Sequence, residues 1–104
     1  MIIATTEKIA GKDIVETLGL VRGSTVQSKH IGRDIMAGLK TIVGGELRGY
    51  TELLEDAREQ ALRRLAENAK HMGANGVVGI RFTTSTIAAN ASEIMVFGTA
   101  VRIG

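Results

Sequence analysis

The sequence contains no cysteine, no proline and no tryptophan, and its aromatic side chains are limited to Tyr50, Phe82 and Phe97. Without cysteine, disulfides, thiol nucleophiles and thiolate metal sites are excluded. With so few aromatic rings, the core must be built from Ile, Val, Leu, Met and Ala, which each bury less area. A core this thin in 104 residues favours a protein that buries more area by assembling with copies of itself.

Long apolar runs and charge clusters are also missing. No apolar stretch approaches the roughly 18 residues of a membrane-spanning helix, and no signal-peptide pattern opens the chain. We therefore expect a cytoplasmic protein with no membrane partner. The 13 Lys and Arg exceed the 11 Asp and Glu by only two, and no run of five like charges occurs. This balance argues against a nucleic-acid partner, which needs a clustered basic face.

The rest of the composition is that of an ordinary globular protein, with 44% hydrophobic and 23% charged residues. There is no internal repeat and no linker-like segment rich in serine, glycine or proline. We expect one domain that spans residues 1–104.

The first third of the chain predicts two strands and a short helix. Met1–Thr6 is predicted as a strand, because it combines Ile with β-branched Thr. Ile14–Leu18 is predicted as a short helical turn, with Asp13 as its N-cap. Leu20–Val26 is predicted as the second strand, with Gly23 as a bulge or bend.

Two helices are predicted in the middle of the chain. The first covers Gly32–Val43, where apolar residues recur on one helical face. The second covers Thr51–Met72, with Thr51 as N-cap and Gly73 as the residue that ends it. Its apolar stripe is rich in alanine, so the element that packs there must come close. The stripe consists of Leu54, Ala57, Ala61, Leu65 and Ala69, flanked by Leu62 and Met72.

The last third predicts two more strands, Gly76–Thr84 and Ser92–Ile103, joined by a loop over Ser85–Ser92. The final strand has apolar residues on both faces, which is typical of a strand buried on both sides. In so small a domain, the second face would meet another subunit. Grouped helices and strands predict an α+β fold with an antiparallel or mixed sheet of about four strands and helices on one face.

Motifs for catalysis or metal binding are scarce. His30 and His71 stand 41 positions apart, and no zinc or calcium spacing occurs. His71 beside Met72 is a weak candidate for a soft metal, although a histidine at a helix end more often complements the helix dipole. No serine lies in a nucleophile elbow, and the glycine pairs follow helices rather than precede them. We therefore expect a protein that is not an enzyme.

The segment from Gly44 to Tyr50 is the least routine part of the sequence, because it joins two predicted helices and holds the single tyrosine. Glu46 and Tyr50, with Arg58 two turns into the next helix, form a candidate ligand-binding or interface site. The alternative interpretation is a helix-helix connection braced by polar side chains.

Several of these motifs together resemble the YbjQ family over nearly the whole chain. The run Met72–Gly79, with the sequence MGANGVVG, carries much of the resemblance. So do Gly44-Gly45-Glu46 followed by Tyr50, and the pair Ala57-Arg58. The matching positions near the start are Thr5, Thr6, Ile9, Gly11, Leu18, Gly19, Val21, Gly23 and Val26.

The resemblance implies a small subunit with a dodecin-like fold that assembles into a homopentameric ring. The family is described as heavy-metal-binding, so the resemblance also implies metal binding, although the family has no established function. On the residues alone, the leading interpretation is a non-enzymatic oligomeric binding or scaffold protein without a cofactor. The alternatives are a metal-binding protein, and a small-molecule binding module or enzyme that uses Glu46, Tyr50 and Arg58.

Overall fold

The computed structural model describes residues 1–28, 48–89 and 91–104, with the side chains of 28 and 48–51 left out of the description. The helix predicted over Gly32–Val43 lies outside these residues. The described elements are strand β1 (Ile2–Ile3), strand β2 (Ile14–Ser28), helix α1 (Arg48–His71), strand β3 (Gly76–Ala88) and strand β4 (Ala91–Ile103).

The four strands form one mixed sheet in the order β1-β3-β4-β2. Strand β1 runs parallel to β3, whereas β4 is antiparallel to both of its neighbours. Helix α1 packs mainly on β2, and to a lesser extent on β4. The predicted α+β class with a mixed sheet of about four strands is therefore confirmed.

The first strand is much shorter than the predicted Met1–Thr6. Only Ile2 and Ile3 pair with β3 as a strand. Beyond them, the Ala4 amide donates to the Val77 carbonyl, and the Thr6 carbonyl accepts from the Gly79 amide. The chain thus stays beside β3 while losing regular strand geometry.

The predicted short helix over Ile14–Leu18 is wrong, because this segment is the first part of β2. An isolated helix of five residues has too few internal hydrogen bonds to be stable. β-Branched Ile14, Val15 and Thr17 suit a strand, and β4 offers a partner along its whole length. Asp13 does not cap a helix; its backbone carbonyl accepts a hydrogen bond from the Gly104 amide.

The predicted bulge at Gly23 is also wrong. The register shifts lie earlier, between Ile14 and Glu16 and between Thr17 and Gly19. Gly23 pairs regularly with Val96. A Cβ atom at Gly23 would collide with the backbone of Ala61 and Leu65 in α1. Gly23 therefore allows close contact between strand and helix.

Helix α1 begins at Arg48, so Thr51 lies inside it and is not the N-cap. The predicted apolar stripe is confirmed as the face that meets the sheet, with Leu65 and three alanines buried. The core cluster is small and almost entirely aliphatic. It comprises Val21, Ala61, Leu65, Ala69, Ala74, Val77, Ile80, Val96 and Ala100.

The end of α1 confirms the predicted role of Gly73, whose φ is +87°. The Ala74 amide donates to the Ala69 carbonyl and the Gly73 amide donates to the Lys70 carbonyl, each at 3.0 Å. These two bonds define a Schellman motif, in which a glycine takes the left-handed conformation at low cost. The chain turns there directly into β3.

The loop predicted over Ser85–Ser92 is mostly strand. Strand β3 continues to Ala88, and β4 begins at Ala91. The misleading signal was the small and polar character of the segment. Its Thr86 and Ile87 are β-branched and fit a strand, provided that a neighbouring strand pairs with them.

Candidate functional site

The sheet presents a face that α1 does not cover. Val21, Gly23 and Thr25 of β2 are buried beneath the helix, so the residues between them point the other way. Leu20 and Val26, which flank this run, point the same way as Arg22 and Ser24, and they are 65% and 57% exposed. This open face therefore combines exposed aliphatic side chains with the polar residues of the same strand.

The centre of the open face is an aromatic ring between two arginines. Phe97 of β4 is paired in the register with Arg22 of β2 on one side and with Arg81 of β3 on the other. Residues directly opposite each other share a face of the sheet. Phe97 is half-buried, as is Met95 two positions away. An apolar centre with a cationic border can contact another macromolecule.

Part of the helix-side face is uncovered as well. Phe82 is paired with buried Val96 and so shares its face, but α1 lies over β2 and β4 rather than over this end of β3. Phe82 is consequently 47% exposed, and Ile87 farther along is 54% exposed.

The outer edge of β2 is capped by side chains of α1. The Arg64 guanidinium donates a 2.6 Å hydrogen bond to the Ser24 carbonyl. The Asn68 amide donates a 2.7 Å bond to the Arg22 carbonyl. Two carbonyls that an incoming strand would need are thus already occupied.

A shallow open depression of about 600 Å³ borders this capped edge. Its charged groups have both signs, and each is exposed or half-buried. Such a lining selects neither anionic nor cationic ligands. We therefore interpret the depression as a solvated polar groove. The lining residues are Arg22, Gly23, Ser24, Arg64, Glu67, Asn68, Glu93 and Met95.

The predicted group of Glu46, Tyr50 and Arg58 is only partly within the described residues. Glu46 lies outside them, and Tyr50 is described as helical backbone without its side chain. Arg58 is exposed on α1. The grouping of the three side chains remains a prediction.

The two weak metal candidates lie at the end of α1. His71 is the last helical residue and is exposed, and Met72 is 38% exposed. Within residues 1–27, 52–89 and 91–104, no three His, Cys, Asp or Glu side chains come together to hold a metal ion. One imidazole and one thioether are fewer than the three or four protein ligands of a zinc site. The described part of one chain therefore does not provide a complete site.

Asn75 is a key residue that the sequence did not reveal. Its side chain donates a 2.9 Å hydrogen bond to the Ile103 carbonyl and accepts a 2.6 Å bond from the Ile103 amide. It thereby ties the turn after α1 to the end of β4. The available signal was an asparagine in a tight turn, since asparagine often bonds to backbone there. Much of the run Met72–Gly79, which carries the family resemblance, therefore has a structural role in the turn after α1.

The described helix, α1, is not apolar enough over a sufficient length to cross a membrane.

Comparison with known proteins gives a consistent family. The model of the YbjQ family, described as "Putative heavy-metal-binding", matches residues 1–104. A UPF0145 protein of Shewanella frigidimarina is 64% identical over 104 residues, which cover 100% of this chain and 97% of that protein. A UPF0145 protein of Colwellia psychrerythraea is 66% identical over 103 residues, which cover 99% and 98% of the two chains.

A solved structure shares the fold. It is a protein of unknown function from Pediococcus pentosaceus that belongs to the DUF74 family. Its TM-score is 0.69 at 17% identity, and the match covers 100% of this chain and 98% of that chain. The whole-length family match and the relatives above 60% identity establish that this chain belongs to the YbjQ family, whose members include the UPF0145 proteins.

Proposed function

We propose that this protein is a non-enzymatic binding or scaffold protein that works as a homo-oligomer. The observation that carries the proposal is apolar exposure on both faces of the sheet, at Leu20 (65%) and Val26 (57%) on the open face and at Phe82 (47%) on the helix-side face. Exposed apolar patches of this kind mark surfaces that bind other macromolecules.

The shape of the chain supports the same proposal. Its Cα radius of gyration is 16.9 Å. A compact domain of this length would have a radius of about 13 Å. An elongated chain with a small aliphatic core leaves much apolar area for a partner to cover, and a second copy is the simplest partner.

The resemblance to the YbjQ family supports a finer proposal, a dodecin-like subunit in a homopentameric ring in the cytoplasm. A ring requires that each subunit offer two different surfaces, one to each neighbour. The open face and the two unlike sheet edges provide such different surfaces.

Sedimentation velocity and light scattering between 1 and 100 μM (about a hundredfold range) test the assembly. We expect a discrete species of five subunits. A stable folded monomer throughout that range would refute the oligomer, and a discrete species of another size would refute only the pentamer.

Metal binding is the second candidate, supported by the family description together with exposed His71 and Met72. Because the described residues of one chain offer only two such neighbouring donors, we propose that donors from a second copy complete the site. Calorimetric titration with zinc, copper and nickel tests this, with His71→Ala as the variant and His30→Ala as the control. Metal-binding heat that disappears only in the His71 variant is the expected result. Absence of heat in the oligomeric wild type would refute the candidate.

A further inference from the structure

We infer that the outer edge of β3 from Phe82 to Thr86 is the docking site for a strand of a second copy of this chain. The inference rests on the proposed homo-oligomer and adds which edge of the sheet makes the contact.

The direction of the backbone groups on β3 follows from a hydrogen bond near its start. The Ile80 amide donates to the Ala4 carbonyl at 3.2 Å, so it points away from β4. Backbone groups alternate along a strand, and Phe82, Thr84 and Thr86 follow at steps of two. Their amides and carbonyls therefore point outwards, and no described strand pairs with them beyond the reach of β1.

The opposite edge of the sheet is partly blocked. On β2, the outward carbonyls of Arg22 and Ser24 are occupied by Asn68 and Arg64. Nearer its start, the register shifts around Glu16 and Gly19 interrupt the regular spacing that a docking strand needs. Of the two described edges, that of β3 therefore offers the longer uninterrupted run of free backbone groups.

The residues of this edge also lack the usual protection against pairing. Natural edges are guarded by charges, proline or bulges. Phe82–Thr86 has no charge and no proline, and its register with β4 is regular between the shifts at Val78/Arg81 and Thr86/Ala88. The nearest charge is Arg81, whose guanidinium is held by the carbonyls of Thr5 and Ile80.

A second copy fits this edge better than a foreign peptide. The edge is uncharged, so it offers no electrostatic selection for an acidic or basic segment. Joining two sheets edge to edge also places the exposed apolar residues of one copy beside those of the next, and each then covers part of the other. The exposed Phe82 and Ile87 lie at this border.

The test uses Thr84→Pro, which removes one outward amide and leaves the donors that face β4. Thr84→Val is the matched control, because it keeps the amide and the β-branched shape. We expect Thr84→Pro to raise the subunit dissociation constant at least about a hundredfold in sedimentation velocity, and Thr84→Val to change it little. Far-UV circular dichroism verifies that both variants fold.

A second measurement holds even if the proline variant does not fold. Hydrogen exchange is measured on the wild type. The amides of Phe82, Thr84 and Thr86 should exchange slowly in the oligomer and quickly after dilution to monomer. The double variant Thr84→Lys with Thr86→Lys, which alters no backbone donor, should also dissociate.

The outcomes separate the two proposals. A wild type that is monomeric throughout refutes the homo-oligomer, and the β3 inference with it. An oligomer whose variants assemble normally, or whose edge amides exchange freely, overturns only the β3 inference. Protection that persists in the diluted monomer overturns it too, since the edge would then be covered within one chain. The mass of the oligomer distinguishes a dimer from a ring, and either assembly supports the inference.

Discussion

The Asn75 side chain pairs with both backbone polar groups of Ile103, as a neighbouring strand would. We predict that Asn75→Ala lowers the free energy of unfolding by about 2 kcal/mol, since two hydrogen bonds are lost at roughly 1 kcal/mol each. Asn75→Asp keeps the acceptor for the Ile103 amide, but at neutral pH its second oxygen faces the Ile103 carbonyl and is repelled by it, so this variant should also be less stable than the wild type. Urea denaturation at one protein concentration measures both. Equal stability of wild type and the alanine variant would contradict the prediction.

The contact between Gly23 and α1 leads to the second prediction. An added methyl group would overlap the backbone of Ala61 and Leu65, which cannot rotate away as a side chain can. Gly23→Ala should therefore destabilise the protein by about 3 kcal/mol, at the upper end of the usual cost of overpacking. The control is Ser24→Ala on the next residue, which adds no atom and should change stability little. Thermal unfolding compares them, and matching melting temperatures would show that the helix can move aside.

A third prediction concerns Gly73, where the constraint is conformational rather than steric. No atom lies within 4 Å of a Cβ built there, yet φ is +87°. Gly73→Ala should cost about 1 to 2 kcal/mol, the penalty of the left-handed conformation. Gly73→Asn should cost less, because asparagine tolerates that conformation. Chemical denaturation ranks the three proteins, and an asparagine variant weaker than the alanine variant would be inconsistent with this cause.

The capped edge of β2 gives a fourth prediction. Arg64→Ala and Asn68→Ala each free an outward carbonyl, so each should increase aggregation while lowering stability by no more than about 1 kcal/mol. Arg63→Ala is the control for charge, because Arg63 lies beside Arg64 on α1 and forms no described hydrogen bond with β2. Turbidity on incubation at 37 °C reports the effect. If the Arg63 variant aggregates as much as the Arg64 variant, lost charge is the cause and not the open edge.

The sequence predicted the elements whose local pattern agrees with their final environment. The alanine-rich stripe from Ala57 to Ala69 indicated both the helix and its close packing, and Gly73 indicated where the helix ends. The strand Ser92–Ile103 was placed within one residue, because its apolar residues extend over the whole element.

The errors occurred where a distant partner determines the structure. Ile14–Leu18 is too short for its own sequence pattern to distinguish helix from strand, and pairing with β4 makes it a strand. The polar segment after Thr84 forms a strand for the same reason. At Gly23, sequence indicated an unusual backbone, but the actual requirement was space for α1. Asn75 and the two capping residues, Arg64 and Asn68, act through contacts 28 to 46 positions away, and local reasoning cannot find these.

The spacing of the two capping bonds also sets the alignment of α1 along β2. Arg64 and Asn68 are four helical residues apart, a rise of about 6 Å, and their acceptors Ser24 and Arg22 are two strand residues apart, about 6.7 Å. The two periods nearly coincide, so both bonds form together in a single alignment. Inserting one residue between positions 64 and 68 would turn Asn68 by about 100° around the helix axis and break the match. An insertion between Arg64 and Asn68 should therefore shift α1 out of alignment with β2, even though each hydrogen bond alone could still form.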